Sequence, residues 1–370
     1  MKYQITLVGG QLLPIFLGFK EFNPDKVHYI VSKDSKKGLQ HLMSVIKGIP
    51  TVEHHCDAYD FDSVKTTCEK ILDKIDDQDE VSINFTGGTK IMVLAIHSVL
   101  LERGLTGFYI NQDNTLLSLP SYSKRPIECR ITTDEFLRIS GHQQYTTKTL
   151  NDFVEQDFKT AKEIETFANS GNRYTTIANF FRKKYSSDNI PFSGEEQIPN
   201  DVICKWDHSK LEIFVKGKLI QTFRSSKIHD LFFNAGWWEL IIAQAISKWD
   251  KLGEMLLKFE LKATSDRVSA KNEIDILINS NNKLIFVECK SGTIKQEDIN
   301  KMKIIKQSYG GLVSKSILVS RFMPTPIIVE KCKELDIEIF FMFTFKGQQG
   351  NSFQKLVAKL NELDKKNSLN

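Results

Sequence analysis

The sequence has 370 residues, enough for two to three domains of ordinary size. Hydrophobic residues make up 41% and charged residues 26%, a composition typical of globular proteins that fold around apolar cores without disulfide staples. No apolar run reaches the roughly 18 residues of a membrane helix, and a net charge of +4 is too small to indicate nucleic-acid binding by itself. The start of the chain lacks a signal-peptide pattern, so we expect no membrane partner.

The six cysteines and eight histidines show no metal-binding motif. No two cysteines stand close enough for CxxC, and HExxH is absent. Cysteines scattered through a chain without a signal peptide are typical of reduced thiols, so we expect a cytoplasmic protein. His54 and His55 form the only adjacent histidine pair, and we interpret them as a strand end rather than as metal ligands.

Strand patterns alternate with helical patterns over the first third of the chain. Apolar spacing predicts helices over residues 12–19, 34–46, 60–75 and 89–101. Strands are predicted at 4–8, 27–32, 51–55, 81–85, 107–110 and 115–119. This alternation predicts an α/β domain over residues 1–140 with a doubly wound parallel sheet. Ligands of such sheets bind beyond the carboxyl ends of the strands, where the strand order reverses.

Residues 141–190 are predicted to form a helical connector. Polar helical residues dominate between 143 and 185, and no strand pattern is clear there. A winged helix that reads DNA is the alternative interpretation. The following residues, 186–200, are rich in Pro, Gly and Ser and are predicted to be a loop.

A second α/β domain is predicted over residues 191–370. A hairpin around Lys216-Gly217 is followed by one long amphipathic helix at 228–249. Further strands are predicted at 255–262, 273–278, 284–288, 316–320 and 338–344. Further helices are predicted at 296–309, 325–335 and 352–363.

Acidic residues mark the ends of two neighbouring strands in this domain. Asp275 opens one strand, a turn at 279–282 follows, and Glu288 and Lys290 close the next. The two-residue period of a strand puts Glu288 and Lys290 on the same face, where Asp275 can meet them. Two carboxylates so close repel each other unless a cation lies between them, and a hard divalent ion prefers oxygen ligands.

These residues resemble the motif of the PD-(D/E)xK nuclease superfamily, although Ile274 stands where the motif has proline. The resemblance implies a restriction-endonuclease-like fold and an Mg²⁺ or Mn²⁺ ion held by Asp275, Glu288 and the backbone carbonyl of Cys289. It makes Lys290 the catalytic lysine, able to orient or help deprotonate an attacking water. The alternative is a strand end whose Glu and Lys are merely solvated.

Two more carboxylates are second-rank candidates for this site. Glu239, on the preceding helix, resembles the extra acidic residue that some of these nucleases direct at the metal, and Glu273 lies near Asp275. The following helix carries residues that could contact phosphate or simply face solvent. They are Lys301, Lys303, Lys306 and Gln307.

A glycine-rich element joins a strand to a helix in the N-terminal domain. Residues 84–92 read Asn-Phe-Thr-Gly-Gly-Thr-Lys-Ile-Met, and a second loop, Gly9–Pro14, follows the first strand. A helix N-terminus favours an anion, the threonines add hydroxyl groups and Lys90 adds a positive charge. Neither GxxxxGK[ST] nor GxGxxG is present, so ATP hydrolysis and NAD chemistry lose support.

This element resembles the (N/S)xTGGTKxM signature of the CARF domain, a Rossmann-like sensor, over about residues 1–130. The resemblance implies a homodimer that binds a cyclic oligoadenylate across its two-fold axis. Carried over residue by residue, it implies ligand contacts at Gly10, Gln11, Pro14, Ser32, Thr86, Gly87, Gly88, Thr89 and Lys90. The alternative is a plain glycine-rich turn.

Together the two halves resemble the CARF–PD-(D/E)xK effectors of type III CRISPR antiviral defence. The resemblance implies a nuclease that is activated by cyclic tetra-adenylate, rather than cyclic hexa-adenylate, and cuts with little sequence preference. We expect DNA as substrate, as single strands or nicked duplex, and RNA as a second substrate. Residues 1–140 carry 16 Lys and Arg against 18 Asp and Glu, so the basic excess falls in the half predicted to hold nucleic acid.

Two other functions compete with this interpretation. A CARF-type transcription regulator would bind duplex DNA without cutting it, and would leave Asp275, Glu288 and Lys290 without a role. A restriction-type endonuclease would cut without any nucleotide ligand, and would leave residues 86–90 unexplained.

Overall fold

The computed structural model describes residues 1–185, 189–262, 273–311, 313–344 and 347–365. Within these residues the N-terminal sheet has seven strands, in the order β3-β2-β1-β4-β5-β6-β7. They are β1 (Lys2–Leu7), β2 (Lys26–Val31), β3 (Thr51–His55), β4 (Glu80–Asn84), β5 (Thr106–Ile110), β6 (Thr115–Leu119) and β7 (Lys124–Pro126). The first five in this order are parallel, and β6 and β7 add an antiparallel edge. The strand order reverses between β1 and β4, so the predicted parallel sheet is confirmed.

Helices cover both faces of this sheet because the central strands are apolar on both sides. The helices are α1 (Leu12–Phe22), α2 (Lys36–Val45), α3 (Phe61–Leu72), α4 (Lys90–Arg103) and α5 (Thr133–Ile139). On one face α3 and α4 pack around Ile5, Ile83 and Ile96. On the other, α1, α2 and α5 share an apolar core with the C-terminal half of the chain. His54 stacks on His28 near the end of β3, as expected for a strand end.

The central sheet of the C-terminal half has the order β17-β16-β15-β14-β13-β8 in the described residues. Its strands are β8 (Gln144–Lys148), β13 (Glu254–Leu261), β14 (Glu273–Ser280), β15 (Lys283–Lys290), β16 (Lys315–Phe322) and β17 (Glu338–Phe343). The strands from β8 to β15 are antiparallel to their neighbours, and β15, β16 and β17 are parallel. The mixed α/β architecture predicted for this half is confirmed.

The segment predicted to be a helical connector is not purely helical. Its first part is β8, an edge strand that pairs with β13 and is mostly exposed, so it carries no alternating apolar signal. Its two helices, α6 (Glu155–Asn169) and α7 (Arg173–Lys184), bury Ile164, Ile177 and Phe181 in the main C-terminal core. The apolar faces of α6 and α7 therefore pack against the C-terminal half itself and do not form the core of a separate winged helix.

A separate antiparallel sheet follows, with the order β12-β11-β10-β9. Its strands are β9 (Gly194–Ile198), β10 (Val202–Trp206), β11 (Lys210–Val215) and β12 (Lys218–Arg224). The predicted loop at 186–200 thus includes a strand, which its polar residues concealed; residues 186–188 lie outside the described part. The hairpin between β11 and β12 turns at Lys216 and Gly217 as predicted, with φ of 50° and 75°, the values that a tight two-residue turn needs.

The long helix predicted at 228–249 is broken, and that prediction was wrong. One π-helical turn at His229–Phe233 is followed by Ala235 in the left-handed region, with φ 61°, and α8 (Gly236–Ile246) then begins. A side chain at Gly236 would come within 3.0 Å of the Asp230 carbonyl oxygen, so glycine permits this bend. The bend turns both Asp230 and Glu239 toward the same lysine, Lys258.

The remaining helices complete the C-terminal half. They are α9 (Gln296–Tyr309), α10 (Pro326–Glu334) and α11 (Phe353–Lys365). None of the helices in the described part of the chain is long and apolar enough to cross a membrane.

Candidate functional sites

The first candidate site lies where β14 and β15 separate. Their pairing ends at Ile276 and Val287, and beyond that point Oδ2 of Asp275 accepts a hydrogen bond from the backbone N–H of Cys289 at 2.7 Å. A side chain thus replaces the backbone partner at the opening of the strand pair. The carboxyl group of Asp275 is thereby fixed beside the end of β15, next to Glu288.

Lys290 lies between two carboxylates. Its Nζ is 2.8 Å from Oε1 of Glu288 and 3.1 Å from Oδ1 of Asp298, in the first turn of α9. Glu288 is only 4% exposed. Burial by itself would lower the pKa of Lys290, but Glu288 and then Asp275 outweigh burial and raise it. The ammonium group is therefore held in its protonated form.

Two buried carboxyl groups at this site have raised pKa values. Burial raises the pKa of Asp275 well above its usual range, and repulsion from Glu288 and Glu239 adds to the shift. Burial likewise raises the pKa of Glu239 to about 7, against the opposing attraction of Lys258. Both carboxyl groups therefore take up a proton more readily than exposed carboxyl groups do.

Lys258 is a member of the site that the sequence did not reveal. Its Nζ forms an ion pair with Asp230 and lies 3.7 Å from Oε2 of Glu239. It stands at an irregularity of β13, where Leu257 and Glu260 pair out of step with β8 and Lys258 itself has a φ of 47°. Bulges re-aim side chains in this way near functional sites. No local sequence signal marks a lysine in an apolar strand for this role.

The donor atoms of the cluster fit a hard divalent cation. The side chains offer only carboxylate oxygens, which Mg²⁺ and Mn²⁺ prefer. Oδ2 of Asp230 and Oε2 of Glu239 are buried without a hydrogen-bond partner. No group of three His, Cys, Asp or Glu side chains in the described ranges is arranged to hold a metal ion. The ammonium groups of Lys258 and Lys290 lie against Glu239 and Glu288 instead.

Two polar cavities meet at this cluster and share Arg182, Asn234, Glu239 and Asp275. The first has a volume of about 610 Å³ and is also lined by Tyr185, Phe233, Lys258 and Glu273. The second, of about 340 Å³, extends past Lys290 toward Thr293 and Lys295. The cleft thus has an acidic centre between basic and aromatic walls, an arrangement suited to a phosphodiester chain.

The basic residues predicted on α9 lie elsewhere. In the described structure, neither cavity is lined by Lys301, Lys303, Lys306 or Gln307. Lys306 is paired within the protein, with Nζ 2.7 Å from Oδ2 of Asp336. Arg182, which sequence reasoning missed, faces the cleft instead from the end of α7.

The second candidate site lies where the N-terminal sheet reverses its strand order. The loops after β1 and β4 are in direct contact: a side chain at Gly87 would come within 2.1 Å of the Leu7 carbonyl oxygen, and one at Gly9 within 2.6 Å of the Gly88 nitrogen. Gly88 also has a φ of 81°. The two loops therefore converge, and their glycines are required for this close approach.

The two threonines of this element serve the fold. Oγ1 of Thr86 accepts a hydrogen bond from Ile110 N–H at 3.0 Å. Oγ1 of Thr89 donates to the Ala58 carbonyl at 2.6 Å and accepts from the N–H of Met92, capping α4. Lys90 begins α4 and is exposed, and no described residue pairs with it. The backbone N–H and the hydroxyl group of Ser32 both donate hydrogen bonds to Oγ of Ser35.

A cavity of about 290 Å³ adjoins the first loop. Gly10, Gln11 and Pro14 line it, together with Asn111 and Asn114 from the turn after β5. Gly310, Gly311 and Val313, after α9, form its wall on the C-terminal side. Ser32 and residues 86–90 line no part of this cavity in the described structure. The predicted ligand residues therefore lie in three places: Gly10, Gln11 and Pro14 at the cavity, residues 86–90 at the start of α4, and Ser32 at the end of β2.

Both halves match known protein families. Residues 3–136 match the Card1 CARF domain, and residues 226–341 match the endonuclease domain of Card1-like proteins. The chain therefore carries a domain of the Card1 CARF type, followed by a Card1-like endonuclease domain. No match was found among curated proteins.

Solved structures share the fold along nearly the whole chain. Can2 from Sulfobacillus thermosulfidooxidans, solved in complex with cyclic tetra-adenylate, is 18% identical with a TM-score of 0.70, over 99% of this chain and 100% of that one. VC1899 from Vibrio cholerae is 15% identical with a TM-score of 0.71, over 98% of each chain. A type III CRISPR defence DNA nuclease activated by cyclic oligoadenylate is 15% identical with a TM-score of 0.56, over 94% of this chain and 49% of that one.

Proposed function

We propose that this protein is a cytoplasmic nuclease of type III CRISPR antiviral defence, activated by a cyclic oligoadenylate. The observation that carries the proposal is the cluster of Asp275, Glu288 and Lys290 at the opening of two strands, in a cleft of an endonuclease domain attached to a CARF domain. Two proteins of the same fold are described as bound to, or activated by, such ligands. Cyclic tetra-adenylate is the proposed activator, in preference to cyclic hexa-adenylate.

The catalytic cluster would work with Mg²⁺ or Mn²⁺. Asp275, Glu288 and the carbonyl of Cys289 would hold the ion, with Glu239 as a further acidic neighbour and Glu273 at the rim. When bound, such an ion lowers the pKa of a water and offsets charge on a phosphoryl group. Since Glu288 and Asp298 keep Lys290 protonated, its ammonium acts as a donor toward a phosphate oxygen.

The sensor would bind its ligand mainly through backbone amides. Neither α1 nor α4 has an acidic residue in its first turn, so both helix N-termini favour an anion. Gly87 and Gly88 hold the backbone of their loop against the loop that follows β1, and Lys90 adds a cation. Because the hydroxyl groups of Thr86 and Thr89 are engaged in the fold, their side chains contribute by shaping the loop. A ring of even symmetry suits a homodimer about a two-fold axis.

The substrate would be DNA, as single strands or nicked duplex, with RNA as a second substrate. Arg182, Lys258 and Lys295 border the cleft around the carboxylates and would contact the phosphate backbone. Contacts with phosphate carry no sequence information, so we expect cutting with little sequence preference.

One assay tests the proposal against its alternatives. Purified protein is mixed with plasmid, single-stranded DNA or RNA, with or without Mn²⁺ and with cyclic tetra- or hexa-adenylate. We expect cleavage only when Mn²⁺ and the tetra-adenylate ring are both present. Ligand-dependent binding of duplex without cleavage would instead indicate a transcription regulator, and cleavage that ignores both rings a restriction-type enzyme.

A further inference from the structure

The turn between β14 and β15 is held by the CARF domain through buried asparagines. Nδ2 of Asn279 donates to the carbonyl of Ile131 at 2.8 Å, and Oδ1 of Asn282 accepts from the N–H of the same residue at 3.0 Å. Nδ2 of Asn282 also donates to the carbonyl of Cys129 at 3.1 Å. The two side chains are 4% and 1% exposed. Both backbone polar groups of Ile131 in the CARF domain are thus paired with side chains of the endonuclease half.

The same turn reaches the cavity beside Gly9–Pro14, the loop after β1 that is proposed to bind the ligand and is called the ligand loop below. Asn114 lines that cavity with Gly10 and Gln11, and its Nδ2 donates to the carbonyl of Asn281 at the tip of the turn. A change in the cavity wall at Asn114 therefore bears directly on the β14–β15 hairpin.

The other end of this hairpin carries the catalytic cluster. Asp275 lies four residues before Asn279 on β14, about 13 Å away along a strand. The hairpin is central in its sheet, flanked by β13 and β16, so it moves as a unit with its neighbours. Breaking only some of the hydrogen bonds from Asn279 and Asn282 would leave buried polar groups unpaired, which is costly. We therefore expect these bonds to be made or lost together.

We propose that Asn279 and Asn282 are positioning residues that couple the ligand loop to the catalytic carboxylates through this hairpin. The proposal rests on the proposed function, ligand-activated cleavage, and adds the route by which the ligand acts. Coupling of this kind is reciprocal: if the ligand changes the affinity for substrate, the substrate changes the affinity for the ligand by the same factor.

Two glycine substitutions in the same turn provide a matched test. Asn281 and Asn282 both have positive φ, 49° and 61°, so glycine is tolerated at either position and the hairpin is retained. Asn282→Gly removes both side-chain bonds to the CARF domain. Asn281→Gly removes a side chain that makes no hydrogen bond among the described residues, and keeps the carbonyl that Asn114 uses.

Cyclic tetra-adenylate affinity is measured by calorimetry with and without a phosphorothioate single-stranded oligonucleotide that resists cleavage, and kcat and KM are measured with the cleavable strand. For N282G we expect the affinity for the ring alone to be unchanged and the ligand-stimulated kcat to be about tenfold lower. Adding the oligonucleotide should no longer change the affinity for the ring. N281G should match the wild type in all three.

The outcomes separate the two proposals. If the wild type is activated and N282G retains full activation and reciprocity, the coupling role is overturned while the proposed function stands. Equal losses in N281G and N282G would also overturn it, because the turn alone would then be responsible. If the wild type cuts at the same rate without the ring, the proposed function fails and the coupling fails with it.

Discussion

Oδ2 of Asp275 accepts a hydrogen bond from the backbone N–H of Cys289 at 2.7 Å, across the point where β14 and β15 separate. This bond fixes one carboxylate oxygen in a place where the sheet would otherwise need a backbone acceptor. It also holds the carboxyl group close to Glu288, whose charge it repels. The arrangement is electrostatically costly to the fold, which is what a site designed to receive a cation requires.

Asp275→Asn separates the structural role of this residue from its chemical one. The amide oxygen can still accept the Cys289 N–H, while the repulsion from Glu288 and Glu239 is removed. We expect the melting temperature to stay the same or to rise by about 2–4 °C, the equivalent of about 1 kcal/mol, and cleavage to fall by about 100-fold. Scanning calorimetry and a single-turnover cleavage assay measure the two effects. A variant that cuts at the wild-type rate would contradict the assignment.

Lys290→Ala should lower the cleavage rate by about 100-fold or more, because it removes the hydrogen-bond donor beside Glu288. Its affinity for cyclic tetra-adenylate should not change, since the ligand loops lie in the other domain. Lys301→Ala, on the following helix and outside both cavities, serves as the control and should cut normally. Retained cleavage in K290A would refute its proposed role.

Lys258→Met removes the ammonium that Asp230 and Glu239 share. Because two half-buried carboxylates then face each other, we expect the free energy of unfolding at neutral pH to fall by about 3 kcal/mol. Glu239→Gln added to this variant should recover part of the loss, since it removes one of the charges. Urea denaturation measures both. Lys205→Met, which breaks an exposed ion pair with Glu195, should have almost no effect, and an equally small effect of K258M would show that the pair is unimportant.

Lys90 and Thr89 are adjacent but should respond differently to substitution. Lys90→Ala removes an exposed cation at the start of α4 that pairs with no residue in the described part of the chain, so affinity for cyclic tetra-adenylate should fall by about tenfold with no change in melting temperature. Thr89→Ala removes the cap of α4 and should cost about 1 kcal/mol of stability. Calorimetric titration and thermal denaturation of both variants check this pattern. Unchanged ligand affinity in K90A would remove that contact from the proposed site.

His28 makes stability depend on pH. Burial, and then His54, lowers the pKa of His28 to about 4, below the value of about 6.5 of an unfolded chain. Between these values the unfolded state binds a proton that the folded state does not. The contribution of His28 to the free energy of unfolding is therefore fully present above pH 6.5 and is lost as the pH falls toward 4. The difference in unfolding free energy between the wild type and His28→Gln should therefore shrink over this range. A difference independent of pH would contradict the shift.

The sequence predicted the features that depend on local periodicity. The alternating strands and helices before residue 120 formed the parallel sheet, and the strand period around Glu288 and Lys290 brought them together at 2.8 Å. The glycines of residues 87–88 indicated a tight strand–helix turn, which the contact with Leu7 explains.

What it could not predict depends on tertiary contacts. Lys258 joins the site only because β13 is irregular and places this residue at positive φ, and the apolar residues around it give no sign of this. Asp230 approaches because the backbone bends at Ala235, inside a run with uninterrupted helical spacing. The exposed strand β8 is recognisable only by its partner, β13.

The most direct test of the account is the rate at which the purified protein cuts single-stranded DNA in Mn²⁺, measured with saturating cyclic tetra-adenylate and without it. The account predicts a rate about 100-fold higher with the ring. Equal rates in the two conditions would contradict it.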